Sequence, residues 1–466
     1  MNQAVFISPD LVSADSIRTK FSLAMSNMYR NEVPAYGALI DLVTEKNQAQ
    51  LEAKPLLRQQ LEKVENVETL SDQRHGAIRI GKASELAMMR RIFAVMGMFP
   101  VGYYDLSVAN VPVHSTCFRP LEAKSIRNNP FRIFTSLLRL ELIEDQQLRD
   151  KARQVLEARD IFSDQVRELV SVAEQKGGLT ESQSALFIES IVNVFRWHKE
   201  AAISSELYKE LLAAHPLIAD VVSFKGPHIN HLTPRTLDID EVQTQIHTTG
   251  AVAKAVIEGP PRRKCPILLR QTAFLAIKEQ VHFTDTDLSE QNIAHAARFG
   301  EIEQRGCALT KKGRDLYDNL LVKARGITRP LHDGSNKTQY ISDIEQVFSV
   351  FPDDYAQMRE QGLGYFNYSL TEQESGDDNL KDCDIEHLIA RGLVQFDPIS
   401  YEDFLPVSAA GIFQSNLGEQ GDQDFSQNPN QQQFEKELGT DVADQFELYE
   451  QMQQSSIDHC LKTFSS

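Results

Sequence analysis

Three short segments carry residues whose types and spacing could do chemistry: His75-Gly-Ala-Ile-Arg79, His231-Leu-Thr-Pro-Arg235 and Phe299-Gly-Glu301-Ile-Glu303-Gln-Arg305. Two histidines and one carboxylate, each from a separate segment, make the facial set that holds non-haem Fe(II) and leaves positions open for substrate and dioxygen. The arginine that follows each histidine by four residues points to an anionic substrate, because a guanidinium fork binds a carboxylate bidentately where a lysine cannot.

On a strand, residues four apart project to the same side, roughly 13 Å apart along the backbone, so His75 and Arg79 would share one face. One can bind metal while the other reaches inward. Taken alone, the plainer reading is that His75 and Arg79 each pair with nearby acids, and the repeated H-x-x-x-R pattern is what shifts the balance toward function. Pro227-His228-Ile229-Asn230-His231 offers two imidazoles, but strand alternation places His228 and His231 on opposite faces. Matching the two H-x-x-x-R starts selects His231 and leaves His228 as a supporting or surface histidine. Arg235 follows Pro234 near a strand end, where a salt bridge between modules is as good a reading as substrate binding. Glu301 and Glu303 lie on one strand face, and geometry alone does not choose between them.

The elements that must position these residues follow from periodicity. Residues 1–70 read as helical, with Phe21, Met25, Met28 and Tyr29 gathered on one apolar stripe. Residues 71–140 begin with a strand-like run at His75–Ile80 and a helix-like Ala83–Met98, followed by strand candidates between Val101 and Leu140. Helical periodicity returns over 141–220, with Leu148, Ala152, Val155 and Leu156 on one face, as an insertion. Over 221–310 a second strand-first block carries a helix candidate at Asp240–Lys254, β-rich runs at Ile267–Ile277 and Val281–Thr284, and a closing run at Ala297–Gln304. Both blocks read as βαβββ, each opened by H-x-x-x-R, which suggests duplicated modules facing each other. Residues 311–466 form an accessory region covering the site, and its Gln414–Gly439 tract is low in complexity and expected to be a mobile surface loop.

Composition narrows the function further. The chain has 466 residues, room for several structural units and a large core. Its net charge of −18 repels nucleic acid and anionic membrane surfaces. A small acid can still bind where arginines override that field within a screening length of about 8–10 Å. The five cysteines are scattered, with no C-x-x-C pair, which reads as reduced thiols. The N-terminal stretch lacks the basic and apolar regions of a signal peptide and no later run is long enough to span a bilayer, so a soluble cytoplasmic protein is expected. No G-x-S-x-G elbow and no G-x-x-x-x-G-K-[ST] loop is present, which sets hydrolase and nucleotide readings behind the metal reading. Tyr103, Tyr104, Trp197 and the Phe131–Leu140 run are expected to fill core.

The Glu301-Ile-Glu-Gln-Arg305 string resembles the Glu-Ile-Ile-Gln-Arg ending on the last strand of 4-hydroxyphenylpyruvate dioxygenases, whose first glutamate is the iron ligand. That resemblance favours Glu301. More broadly, His75–Arg79, Gly226–Arg235, Arg298–Gly306 and Tyr401-Glu-Asp-Phe-Leu-Pro-Val407-Ser-Ala-Ala-Gly-Ile-Phe413 resemble the bacterial 2-oxoadipate dioxygenase/decarboxylase family over most of the chain. The resemblance implies an α+β, vicinal-oxygen-chelate-like fold, with paired βαβββ modules forming a central β-sheet barrel and large helical insertions. It also implies a hydroxyglutarate synthase that uses iron and O2 to convert 2-oxoadipate to (R)-2-hydroxyglutarate and CO2 in D-lysine catabolism. Carried over by position, His75, His231 and Glu301 would bind Fe(II), and His75, Arg79 and the backbone near Val407 would contact the substrate.

Two other classes stay open on the sequence. A duplicated metal-chelate fold also supports isomerase, extradiol or hydrolytic chemistry on another small 2-oxo acid. A non-catalytic small-acid binding protein would bind its ligand stoichiometrically without releasing CO2. The expected partners are a small 2-oxo diacid and O2, not nucleic acid or membrane, and the sequence does not fix an oligomeric state.

Overall fold

The structure is a computed structural model that describes residues 10–465 except 251, 275–276, 286–293, 299, 332, 374–382 and 406–429. Three helices open it, Ala14–Glu32, Pro34–Ala53 and Pro55–Val64. Ser13 caps the first by accepting the Ser16 N–H at 3.2 Å, and Pro34 and Pro55 start the next two at positions where a missing N–H costs nothing. The Phe21, Met25, Met28 and Tyr29 stripe is buried as expected, with Phe21 meeting the edges of Phe131 and Phe195.

A five-stranded sheet forms the centre, in the order Phe99–Asp105, Val113–Arg119, Arg132–Leu138, Gln73–Ile80, His231–Pro234. The strand bearing His75 runs parallel to Arg132–Leu138 on one side and antiparallel to His231–Pro234 on the other. All eight of its residues are buried, and alternation divides them by chemistry. Ile78 and Ile80 pack into an apolar cluster with Leu86, Ile92, Phe93 and Ile133, whereas His75 and Arg79 project from the opposite face. The apolar face is covered by the helix Ala83–Val95, and close packing beside His75 explains Gly76. A Cβ there would meet Ile229 Cδ1 at 2.8 Å.

Helices occupy most of the insertion: Gln146–Ala158, Asp164–Lys176, Glu181–Val194, Ser205–Ala214 and Pro216–Ser223. Leu148, Ala152 and Leu156 are buried, in keeping with their spacing. Tyr104 lies in the core and Trp197 packs partly buried against it.

The chain is a mixed α+β protein, but the described strands do not close into a barrel. Beyond the five-stranded sheet they form separate two-stranded ladders, among them Glu301–Arg305 with Leu269–Ala273 and Ala294–Arg298 with Ile277–Gln280. The His231 strand is four residues long and ends on Pro234, which has no N–H to extend the ladder. It meets the Glu301 strand through a single parallel bridge, Arg235 with Glu303, and the Thr236 N–H donates to the Glu303 carbonyl at 2.8 Å. The second block therefore reads as one strand, the helix Ile239–Gln245 and four short strands, and Val281–Thr284 is not a strand.

The glutamine-rich tract also departs from expectation. Residues 414–429 lie outside the described residues, but Gln431–Leu438 is a helix with Phe434 and Leu438 fully buried, Phe434 against Tyr103 and His114. An i, i+4 apolar pair anchors what composition alone reads as a loop. The five cysteines are free thiols, and no helix among the described residues is long and apolar enough to cross a membrane.

Candidate metal centre

Register brings the two histidines together. Within the paired strands His75 stands opposite Thr233 and His231 opposite Ala77, so both imidazoles leave the same sheet face one step apart. Their Nε2 atoms lie 3.3 Å from each other, with the rings nearly perpendicular at 88°. The bridge to the neighbouring ladder delivers Glu301, whose Oε2 is 3.0 Å from His75 Nε2 and 3.6 Å from His231 Nε2. Thr233 Oγ1 donates to the same oxygen at 2.9 Å.

These three side chains are buried and are the one group of potential ligands brought together among the described residues. Donors bound at about 2.1 Å to one ion, at tetrahedral or octahedral angles, lie about 3 Å from one another, and the observed spacings match. Glu301 Oε1 is buried without a hydrogen-bond partner. A buried carboxylate oxygen left so is costly unless a cation satisfies it, so the donor set fits a divalent ion.

Glu303 takes the other carboxylate's part. It accepts from His75 Nδ1 at 2.7 Å and is itself held by Arg305, Nε to Oε1 at 2.5 Å and Nη2 to Oε2 at 2.9 Å. Burial would raise the Glu303 carboxyl, but Arg305 and His75 outweigh it and hold it well below the usual carboxylate range. With Glu303 ionised, His75 Nδ1 carries the proton and Nε2 presents a lone pair to the site. Burial alone would lower the His75 imidazole, yet Glu303 and Glu301 raise it above its ordinary value. A divalent ion would take up the negative charge that otherwise favours a proton there. His231 is pushed well below its ordinary value by burial first, then by His75 and Arg79, and so stays neutral and able to ligate.

Around this set the Tyr401–Leu405 stretch forms a wall. The Phe404 ring meets His75 edge-on at 4.9 Å, and Arg305 Nη1 donates to the Tyr401 and Asp403 carbonyls at 2.7 and 3.0 Å. Glu402 is gripped by Arg132 and by Arg74 at 3.0 Å, and Asp403 binds Arg119 through both oxygens at 2.7 and 3.0 Å. Tyr449, from the helix Gln445–Ser465, fastens this wall: its hydroxyl donates to Asp403 Oδ2 at 2.6 Å and accepts the Glu402 N–H at 2.7 Å. Val407 lies outside the described residues.

Arg79 shares the His75 face and is buried, with Nη1 2.6 Å from Asp220 Oδ2. Arg235 does not join it. Its guanidinium pairs with Glu65, and Asn47 holds its carbonyl at 2.9 Å, so the salt-bridge reading of that arginine is the one observed. His228 is away from the donor set, its Nε2 3.2 Å from Asp220 Oδ1. The Asp220 carboxyl sits well below the usual range because His228 and Arg79 outweigh the burial that opposes them. Sequence reasoning missed Asp220, though a signal was present: one acid inside the apolar run Leu217-Ile218-Ala219-Asp220-Val221-Val222.

A family model described as 2-oxoadipate dioxygenase/decarboxylase matches residues 21–416. The 2-oxoadipate dioxygenase/decarboxylase of Pseudomonas putida is 50% identical over 458 residues, covering 98% of this chain and 98% of its own. That of Escherichia coli K12 is 50% identical over 453 residues, covering 96% and 98%. The crystal structure of the Pseudomonas putida hydroxyglutarate synthase in complex with 2-oxoadipate superposes with a TM-score of 0.91 at 49% identity, over 98% of this chain and 100% of that one.

Proposed function

The chain belongs to the 2-oxoadipate dioxygenase/decarboxylase family and is an enzyme of that class, and on that premise we propose that it is an Fe(II)-dependent cytoplasmic enzyme converting 2-oxoadipate and O2 to (R)-2-hydroxyglutarate and CO2 in lysine catabolism. The observation that carries the reading is the convergence of His75 Nε2, His231 Nε2 and Glu301 Oε2 within 3.6 Å of one another beside a buried, unpartnered Glu301 Oε1.

In this reading His75, His231 and Glu301 hold the metal from one side, the facial arrangement that keeps the remaining positions open. Bound there, Fe(II) would supply electrons toward O2 and a Lewis-acidic seat for the 2-oxo acid. Glu303 keeps the proton on His75 Nδ1, so Nε2 is never lost to the wrong tautomer. Arg79 grips the distal carboxylate of the dianionic substrate, the backbone near Val407 is a further substrate contact, and the hydroxyl is thereby directed to one carbon and one face. Phe404 against His75 keeps water from that side of the site. Overall, C1 leaves as CO2, one atom of O2 enters the new carboxylate and the other enters the hydroxyl.

The deciding experiment is oxygen uptake by the Fe(II)-loaded protein with 2-oxoadipate, followed by product analysis under 18O2. Label in both the hydroxyl and the new carboxylate is expected. Iron binding without substrate-dependent oxygen uptake would instead favour isomerase or hydrolytic chemistry on the same donor set.

A further inference from the structure

Arg79 is braced from outside the sheet. The helix Pro216–Ser223 is buried from Leu217 to Ser223, and Asp220 is its only charged residue. A carboxylate in such a setting is tolerated only when its oxygens are occupied. One oxygen takes Arg79 Nη1 at 2.6 Å. The other takes His295 Nε2 at 2.9 Å and is approached by His228 Nε2 at 3.2 Å. His295 is fixed in turn by the Tyr208 hydroxyl, 2.9 Å from Nδ1, and Trp197 packs against both imidazole rings.

Every link of this chain is anchored on an element other than the His75 strand: Asp220 and Tyr208 on helices of the insertion, His295 on the ladder Ala294–Arg298. An arginine side chain is long and rotamer-rich, and left to itself it would sample many positions. Tied at Nη1 to a carboxylate that is itself fixed, its fork is held at one distance from His75, four residues back on the same strand face.

We propose that Asp220 is a positioning residue which, braced by His295 and Tyr208, fixes the Arg79 guanidinium at a set span from the metal ligands and so makes the enzyme read the chain length of its 2-oxo diacid. The inference rests on the assignment of Arg79 as the grip on the distal carboxylate. A diacid one methylene shorter or longer than the favoured one would reach the metal seat or the fork, not both. Specificity then comes from rigidity and not from charge alone, because charge attracts all dicarboxylates alike.

The test compares kcat/KM for 2-oxoglutarate, 2-oxoadipate and 2-oxopimelate in the Fe(II)-loaded parent and in Asp220→Asn, with iron content measured in both. Asparagine keeps the shape and one acceptor but removes the negative charge that pairs with Arg79. The preference for 2-oxoadipate over its two neighbours is expected to fall about tenfold with iron content unchanged, since one methylene in a fitted site is worth roughly 10-fold or more. A general loss of structure or of field would move all three diacids together, so ratios within about twofold of the parent overturn the proposal. So does a parent indifferent to length. Should Asp220→Asn not fold, His295→Leu removes the brace while leaving the Arg79 pair, and parent-like ratios there overturn it as well. Failure of the underlying functional reading is separate: the parent itself would take up no oxygen with any of the three.

Discussion

His75 and Glu303 are joined by a buried contact of 2.7 Å from Nδ1 to Oε2, while the opposite nitrogen of the same ring points to Glu301 at 3.0 Å. One imidazole thus spans two carboxylates two residues apart on a single strand, and their roles differ by which nitrogen they meet. Glu303 is the orienting partner, and Arg305 keeps it ionised. Glu303→Gln is expected to weaken Fe(II) affinity about 10–100-fold without unfolding the protein. Metal titration checks this, and parent-like affinity would remove the orienting role.

The three donors should behave differently from their neighbours. His75→Ala, His231→Ala and Glu301→Gln are each expected to abolish iron retention and oxygen consumption while leaving the circular dichroism spectrum unchanged. An iron-replete, active variant at any of the three would refute the assignment.

Arg79→Lys keeps a positive charge but loses the planar fork. It is expected to retain metal and to raise the KM for 2-oxoadipate at least about tenfold, by the loss of one bidentate charge-assisted contact. Steady-state kinetics at matched iron content checks the outcome, and an unchanged KM counts against the grip.

Glu402 offers a pH-dependent test away from the donors. Burial would raise its carboxyl, but Arg132 and Arg74 pull it far below the ordinary value. A depressed folded-state value means the stabilisation is fully present above the unfolded value of about 4.3 and is lost as pH falls toward the folded one. Glu402→Gln leaves the buried Arg132 guanidinium without its counter-charge, while Arg74 keeps Glu65 at 3.5 Å, and is expected to cost about 3–5 kcal/mol near neutrality. Urea midpoints of parent and variant should differ by a constant amount above pH 5 and draw together progressively as the pH falls below about 4.3.

How much of this was legible in the chain depends on whether the determining contact is local. His75, His231 and the Glu301–Glu303 pair announce themselves by residue type, and alternation correctly puts His75 and Arg79 on one face. The same alternation puts Glu301 and Glu303 together, and only the approach of a second strand decides which carboxylate meets Nε2 and which meets Nδ1. Asp220 is separated from Arg79 by 141 residues, and nothing in its own helix says what it pairs with. Arg235 repeats the pattern of Arg79 without its surroundings, because Glu65 from the N-terminal region claims it. In the glutamine-rich tract the compositional bias hides Phe434 and Leu438, whose four-residue spacing fixes a helix. Closure of a barrel is the least local property of all, and a single proline at the end of the His231 strand is enough to limit the pairing on which it depends.

Tyr449 ties down Glu402 and Asp403, and it stands far along the chain from the donors it helps enclose. A ribosome has therefore made all three donor residues well before it makes the tyrosine that fastens the wall behind them. Until the helix that carries Tyr449 docks, the wall behind the donors lacks its fastening, and iron arriving then would meet a wetter and less enclosed cleft.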